Sequence, residues 1–284
     1  METSELHEAP SLTALYGRAL VAPILPGGGD GLPERRLVLR GARVEEGQVA
    51  EYARVCGFGL RGDAPGTYPH MLAFPLHMRL MTDRAFPFSV LGLVHVANRI
   101  EALEPVAIGA ELEISTWAEN LRPHRRGRQF DMATEARAGG SLVWRERSTY
   151  LKQGGGEPGA APGREAIEVP DELPACAEWR ISGDVGRRYA AVSGDRNPIH
   201  MHSAPARVFG FPGKIAHGMW TKARCLAAFD GRAGPRYTVE AEFRSPLLIP
   251  GRAHLRSGRS DGGWAFRVES PDGERVHVVG RVSG

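Results

Sequence analysis

Residues 189–202 read Tyr-Ala-Ala-Val-Ser-Gly-Asp-Arg-Asn-Pro-Ile-His-Met-His, and this stretch carries the most specific information in the sequence. It places Asp195 and His200 five residues apart, around the dipeptide Asn197-Pro198. Proline fixes its own φ angle and biases the preceding residue away from the helical region, so the chain between the two side chains is stiff. A stiff turn can direct a carboxylate and an imidazole at one point, as positioned general acid–base chemistry requires.

The residues that follow this stretch have the pattern of one helix and then an antiparallel sheet. Met219, Ala223 and Leu226 recur on one face of a predicted helix, and residues 237–243 alternate apolar and polar side chains as a strand does. Further strands are predicted at 252–257, 264–269 and 275–282. The first half repeats this order, with a helix at about 71–83 and strands at 92–100, 110–119, 128–136 and 141–151. A helix that buries the face of a sheet is an α+β arrangement.

Three pairs of segments echo one another across the chain, with offsets of 137, 143 and 142 residues. They are Tyr52–Gly57 with Tyr189–Gly194, Leu72–Leu76 with Ile215–Met219, and Pro105–Gly109 with Pro246–Gly251. Three matches in the same order, each near half of the 284 residues, predict a tandem duplication. A Gly- and Pro-rich segment separates the copies. We therefore predict an N-terminal unit at 1–152, a linker at 153–170 and a C-terminal unit at 171–284.

Residues 189–202, taken with Ile215-Ala216-His217-Gly218-Met219, resemble the signature of the MaoC-like dehydratases, also called (R)-specific enoyl-CoA hydratases or type 2 hydratases. The resemblance implies a hot-dog fold, here in tandem (double) form, in which each unit wraps a curved antiparallel sheet around a central helix. It also implies a hydro-lyase without a cofactor. The implied reaction is the reversible syn hydration of trans-2-enoyl thioesters to (3R)-hydroxyacyl thioesters.

The resemblance assigns roles to four residues of the second unit. Asp195 and His200 hold and activate a water molecule, and Asn197 orients the turn between them. Gly218 opens the predicted helix, where backbone N–H groups lack partners within the helix. Its N–H is therefore expected to polarise the thioester carbonyl as negative charge develops there.

The first unit departs from this pattern. Phe58 and Gly59 stand where the repeat would place an acid, and Pro75 aligns with Gly218 but has no N–H to donate. We expect this unit to be catalytically inactive and to help build the acyl or pantetheine pocket. One active site per chain is the prediction.

Several other side chains are candidates for substrate binding. Arg125, Arg126 and Arg128 lie in a basic run that is most simply a solvated turn between strands, but that also suits the phosphates of coenzyme A or an acidic acyl carrier protein. Trp220 is a candidate for the acyl channel, although packing of the helix face in the core is the simpler role for it. His200, His202, Asp195 and His217 could be metal ligands by type. We predict no metal, because the imidazoles are equally explained as acid–base and loop residues.

Composition limits the remaining possibilities. A net charge of +3 gives no argument for nucleic acid, and the three widely spaced cysteines suggest no disulfide framework. With no secretory pattern at the start and no long apolar run, we expect a cytoplasmic protein without a membrane segment. Either a monomer or a homodimer is possible. Residues 26–30 are interpreted as a loop. The alternative functions are a hot-dog thioesterase and a non-catalytic acyl-thioester-binding protein.

Overall fold

The structure, a computed structural model, describes residues 1–21, 31–160 and 166–284. The predicted loop at 26–30 lies outside the described residues. The first half contains β1 (Glu2–Leu6), α1 (Leu12–Val21), β2 (Arg35–Arg43), α2 (Glu46–Cys56), α3 (Pro69–Met81), β3 (Leu93–Ala102), β4 (Glu111–His124), β5 (Gly127–Ala138) and β6 (Ser141–Gln153). The second half contains β7 (Ala175–Ile181), α4 (Val185–Ser193), α5 (Pro198–Met201), α6 (Ser203–Val208), α7 (Gly218–Ala227), β8 (Tyr237–Phe243), β9 (Gly251–Ser260), β10 (Gly263–Glu269) and β11 (Val276–Ser283).

All the named strands form one 11-stranded sheet in the order β1-β2-β4-β5-β6-β3-β8-β11-β10-β9-β7. Read outward from its centre, the sheet has the same connectivity on both sides: β3-β6-β5-β4-β2 on one and β8-β11-β10-β9-β7 on the other. The two halves meet through the antiparallel pair β3–β8, where Asn98 is opposite Ala241. The predicted α+β class and the predicted repeat of one helix-and-sheet unit agree with this topology.

The repeat is most evident where α2 and α4 end. Gly57 and Gly194 both follow the last helical residue and both adopt the left-handed conformation, with φ angles of 85° and 72°. Glycine is favoured there because it has no Cβ to clash. Tyr52 and Tyr189 each lie five residues before one of these glycines, and their ring centroids are 6.3 Å apart. The offset of 137 residues read from the sequence therefore relates equivalent positions.

The expected equivalence of Pro75 and Gly218 is wrong. Pro75 lies inside α3, whereas Gly218 is the first residue of α7. The residue that begins α3 is Pro69, which lacks an N–H in the same way. The segments between helices also differ, because residues 58–68 connect α2 to α3 whereas residues 195–217, with α5 and α6, connect α4 to α7. The longer connection carries the motif of the second unit.

The predicted linker is partly packed against both units. Glu157 donates its N–H to the carbonyl oxygen of His124 over 3.1 Å, next to the β4–β5 turn. At the other end, Ile167 is buried and donates its N–H to Glu242 Oε1 over 2.6 Å. The described ends of the segment are thus held by hydrogen bonds rather than left as a solvated tether.

Helices α3 and α7 supply the buried layer beneath the sheet. Nearly every side chain of α3 is buried, and Leu76 is fully so. Within the part of the chain that the structure describes, no helix combines the length and the apolar character needed to cross a membrane.

Candidate active site

A cavity of about 240 Å³ lies between the two units and receives side chains from both. Its polar end is formed by Tyr16, Ser193, Asp195, Asn197, His200 and His217. Its apolar wall includes Met71, Phe74, Met78 and Met81, which lie along α3 of the first unit. The exposed side chains that line it, Arg126, Gln153 and Arg244, mark its mouth. The cavity therefore joins a titratable cluster to an apolar channel.

Local hydrogen bonds hold the turn between Asp195 and His200. Asn197 caps α5, and its side-chain oxygen accepts the N–H of Ile199 over 3.4 Å. The Asn197 N–H in turn donates to Asp195 Oδ1 over 3.1 Å. Pro198 occupies the first helical position, where its missing N–H costs nothing. The Asn-Pro dipeptide thus fixes the geometry that the sequence led us to expect.

His200 is held with one ring nitrogen free for chemistry. Its Nδ1 lies 2.8 Å from the carbonyl oxygen of Ile215, and because a carbonyl only accepts, Nδ1 carries the proton. Nε2 is then an unprotonated acceptor. Burial lowers the pKa of His200 below 6.5, although the nearby carboxylate of Asp195 opposes this. At neutral pH the ring is a neutral base.

Asp195 is an anion held by hydrogen bonds from two parts of the chain. Burial alone would raise its pKa, but the neighbouring imidazoles of His217 and His200 and the donors Asn197 N–H and Tyr16 O–H bring the pKa below 3.8. The Tyr16 hydroxyl donates to Oδ1 over 2.8 Å. The same hydroxyl accepts the N–H of Arg196 over 2.8 Å. Tyr16 could not be predicted from the sequence, because no local pattern connects α1 with a motif in the other unit.

His217 connects the motif to the start of α7. Its Nε2 donates to the backbone oxygen of Asp195 over 2.9 Å, and its ring stacks on that of His200 with centroids 3.7 Å apart. Burial, aided by His200, lowers the pKa of His217 to about 3, so the ring is neutral. Its Nδ1 is buried and has no hydrogen-bond partner among the described residues. Through its hydrogen bond to Asp195, His217 fixes the distance between this residue and the helix that begins at Gly218.

Gly218 lines the cavity as the first residue of α7, where an N–H has no partner within the helix. A Cβ added to Gly218 would lie 3.2 Å from three ring carbons of Phe243. That contact is tighter than ordinary van der Waals packing allows without a shift of the ring. A glycine here therefore allows the Phe243 ring to pack closely against the start of the helix.

The four predicted substrate-binding residues are placed differently from one another. Arg126 lines the cavity, Arg125 is exposed on the two-residue turn between β4 and β5, and the Arg128 guanidinium lies 5.2 Å from the ring centroid of Phe88. Trp220 is buried and donates its indole N–H to the Val55 carbonyl over 3.1 Å. This corrects the expected role of Trp220 in an acyl channel: it packs α7 against α2.

A network of buried, hydrogen-bonded polar side chains also contacts this cavity, through His70. His70 Nδ1 donates to Glu146 over 2.9 Å, and Asn98 donates its amide to Glu146 and, over 2.9 Å, to Ser148. Lys222, fully buried on α7, donates to Asn98 in turn. Burial lowers the pKa of Lys222 to about 7. This network ties helices and strands of both units together, and its members, dispersed in sequence, form no motif.

Among the residues that the structure describes, two groups of side chains have donor atoms close enough for a metal. They are Asp195 with His200 and His217, and His70 with His77 and Glu146, each group within 4.8 Å. In the first group, hydrogen bonds already give His200 Nδ1 and His217 Nε2 other roles. The absence of a metal or other cofactor stays a prediction.

Comparisons with known proteins show similarity over most of the chain. Residues 169–261 match the family described as MaoC like domain. The chain is 36% identical over 274 residues to 3-hydroxyacyl-thioester dehydratase X of Mycobacterium tuberculosis, covering 95% of this chain and 96% of that protein. It superimposes on the crystal structure of HtdX of Mycobacterium tuberculosis with a TM-score of 0.79 and 35% identity, covering 88% of this chain and 100% of the other.

The fold has a further parallel in a Mycobacterium tuberculosis protein described as having a double hotdog fold. That likeness has a TM-score of 0.54 at 16% identity and covers 92% of this chain and 96% of the other, so it concerns the fold alone. Together with the duplicated topology, it confirms the predicted double hot-dog fold. Because the relative at 36% identity matches over nearly the whole of both chains, the protein belongs to the MaoC-like dehydratase family and is, as predicted, a hydro-lyase.

Proposed function

We propose that the protein catalyses the reversible syn hydration of trans-2-enoyl thioesters to (3R)-hydroxyacyl thioesters, or the reverse dehydration. The observation that carries the proposal is the orientation of His200. Its Nδ1–H is fixed on the Ile215 carbonyl, which leaves a neutral Nε2 beside the Asp195 anion in the wall of a cavity. The name of the 36% identical relative supports the reaction class, and the (3R) configuration follows from the family resemblance.

In the hydration direction, one water molecule lies between Asp195 and His200. His200 Nε2 accepts a proton from this water as its oxygen attacks C3 of the enoyl group. The imidazolium then returns a proton to C2 on the same face, so the two new bonds are syn. Asp195 orients the water and stabilises the imidazolium, in line with the rise in the pKa of His200 that its carboxylate causes. Proton transfer of this kind contributes roughly 10²- to 10⁴-fold to a rate.

The negative charge that develops on the thioester oxygen needs a donor. The N–H of Gly218, at the start of α7, is suited to this role because it has no partner within the helix and the helix dipole favours an anion there. Loss of one such donor costs about 3–4 kcal/mol of activation free energy in other enzymes. Asn197, Tyr16 and His217 act as positioning residues for this machinery.

The first unit supplies the acyl channel in this proposal. Its helix α3 lines the cavity with Met71, Phe74, Met78 and Met81 but begins with Pro69, which has no N–H to donate.

We also propose the unit boundaries 1–152 and 171–284 with the linker at 153–170. The cytoplasmic location, the lack of a nucleic-acid partner and the choice between monomer and homodimer stay predictions.

Substitution of the acid–base pair tests the proposal. Asp195→Asn and His200→Asn should each reduce hydration of an enoyl thioester by about 10²- to 10⁴-fold while the first unit stays intact. The loss of enoyl absorbance measures hydration, and chiral analysis of the product gives its configuration. Asp184→Asn and His202→Asn are matched controls on exposed neighbouring side chains. Near-normal hydration by Asp195→Asn would contradict the assignment, and release of free thiol without hydration would favour a thioesterase.

A further inference from the structure

The mouth of the cavity is bordered by an exposed apolar pair. Val208 and Phe209, at the end of α6, are 83% and 37% exposed. Among the described residues they are two of the four large apolar side chains that are exposed, the others being Met1 and Leu60. Only two positions further on, Phe211 lines the cavity. An apolar pair is therefore held in solvent next to the opening.

One basic residue of the first unit, Lys152, lies beside Phe209 of this apolar pair. A Cβ on Gly92 would lie 3.7 Å from the Phe209 ring and 3.8 Å from Lys152 Nζ, so Phe209 and Lys152 approach the same point of the backbone. Lys152 is opposite Arg128 in the β5–β6 pair, and the next residue, Gln153, lines the cavity. The apolar pair from the second unit thus adjoins the β4–β5 turn that carries Arg125 and Arg126.

The positive charge of this surface is not neutralised by ion pairs. In the described ranges, no carboxylate lies within 4.0 Å of the charged groups of Arg125, Arg126, Lys152 or Arg207. The acidic residue Glu157 meets the β4–β5 turn through its backbone, because its N–H donates to the carbonyl oxygen of His124. Burial, and then the charges of Arg126, Arg125 and Arg122, lower the pKa of His124, as a positive field would. An anionic partner would be drawn to this face.

We propose that this surface docks an acidic acyl carrier protein, whose phosphopantetheine arm delivers the thioester through the mouth of the cavity. We name it the carrier face and define it as Arg125, Arg126, Lys152, Arg207, Val208 and Phe209. The inference rests on the proposed function and specifies the substrate carrier for the same site. Coenzyme A phosphates could occupy the arginines, but a nucleotide gives no reason to expose Val208, whereas a protein partner covers an apolar centre within a charged rim.

Three thioesters of the same enoyl group separate the possible carriers: one on an acidic acyl carrier protein, one on coenzyme A and one on N-acetylcysteamine. The variants Val208→Asp and Arg207→Glu change the carrier face at side chains that do not line the cavity. Each should lower kcat/KM for the carrier-protein substrate by about 10- to 100-fold, chiefly through KM, because hot-spot and charge contacts dominate such docking. The N-acetylcysteamine substrate should stay within about twofold in both variants, and the coenzyme A substrate should do so in Val208→Asp, since neither covers the apolar pair.

Leu60→Asp and Arg180→Glu are matched controls, because both alter exposed side chains outside the carrier face. They should leave all three substrates unchanged. Added salt should raise KM for the carrier-protein substrate more than for the N-acetylcysteamine thioester, because only the former is attracted by charge. An equal loss for coenzyme A in Val208→Asp, or no loss for the carrier protein in either variant, would overturn the inference. A wild-type protein that hydrates none of the three would instead contradict the proposed function.

Discussion

The hydroxyl of Tyr16 donates a hydrogen bond to the carboxylate of Asp195 over 2.8 Å, although the two residues are 179 positions apart in the chain. Helix α1 reaches the turn closely, since a Cβ on Gly194 would lie 2.2 Å from Leu12 Cδ1. The N-terminal helix of one unit therefore covers the Asp195 turn of the other. A site that resembles a local motif in sequence is completed by a distant segment.

Removal of the Tyr16 hydroxyl should impair catalysis without unfolding the protein. Tyr16→Phe deprives Asp195 of a donor and the Arg196 N–H of its acceptor. Because hydrogen bonds to charged groups contribute about 1.5–3 kcal/mol, kcat should fall about 10- to 100-fold. Steady-state kinetics measures this, and Tyr68→Phe is the control, since its hydroxyl makes only a 3.5 Å contact with Gln48. Equal losses in both variants would refute a specific role for Tyr16.

Two substitutions of Gly218 distinguish its N–H from the space it leaves. Gly218→Pro removes the backbone N–H donor. The first position of a helix tolerates proline, and α3 itself begins with Pro69. We expect kcat to fall about 10²- to 10³-fold, as for the loss of other oxyanion donors. Gly218→Ala keeps the N–H but presses on Phe243, so its main effect should be on KM. If Gly218→Ala reduces kcat as much as Gly218→Pro, the N–H is not the important feature.

Buried neutral histidines should make the fold sensitive to mild acid. Burial is the largest cause that lowers the pKa of His77, His95 and His217 to about 3 from 6.5. Below pH 6.5 the unfolded chain binds protons that the folded chain does not. The stability associated with these groups is therefore fully present above pH 6.5 and is lost as pH falls toward 3. Each group contributes a loss of about 1.4 kcal/mol per pH unit in that window.

Urea unfolding between pH 8 and 4.5 measures this effect. The free energy of unfolding should decline below pH 6.5, before the carboxyl groups begin to titrate. His77→Gln, which leaves a side chain able to approach Thr134, should make the decline shallower by the contribution of one group. A free energy that stays constant down to pH 5 would show that these histidines become protonated within the folded protein.

Much of the fold was predictable from the sequence because the repeated unit has strong local signals. The strand predicted at 237–243 is found as Tyr237–Phe243, and the helix predicted at about 71–83 is found as Pro69–Met81. The segments that end at Gly57 and Gly194 form one of the three pairs that predicted the duplication, and the left-handed helix ends explain why both positions are glycine. The alignment of Pro75 failed because similarity of a few apolar letters does not fix the register of a helix.

Only the part of the site whose residues lie close together in the sequence could be predicted. Asp195, Asn197 and His200 share one stiff turn, and Gly218 follows His217 at the start of the next long helix. Tyr16 could not be inferred, because only the packing of α1 on the turn brings it near. The network of Glu146 and Lys222 was equally hidden, since burial and not sequence spacing brings these charges together.

The length of the acyl channel should depend on Met78, which lines the cavity and is 1% exposed. Met78→Phe should shorten the channel and lower kcat/KM for long-chain enoyl thioesters at least about tenfold, with short chains nearly unaffected, because a packed wall cannot yield to the added ring. Met78→Ala should shift the preference toward longer chains, at a stability cost of about 2–5 kcal/mol. Leu80→Met is the control, as Leu80 is buried on the same helix outside the cavity. A panel of chain lengths, assayed by loss of enoyl absorbance, measures the profile, and an unchanged profile in both Met78 variants would place the acyl chain elsewhere.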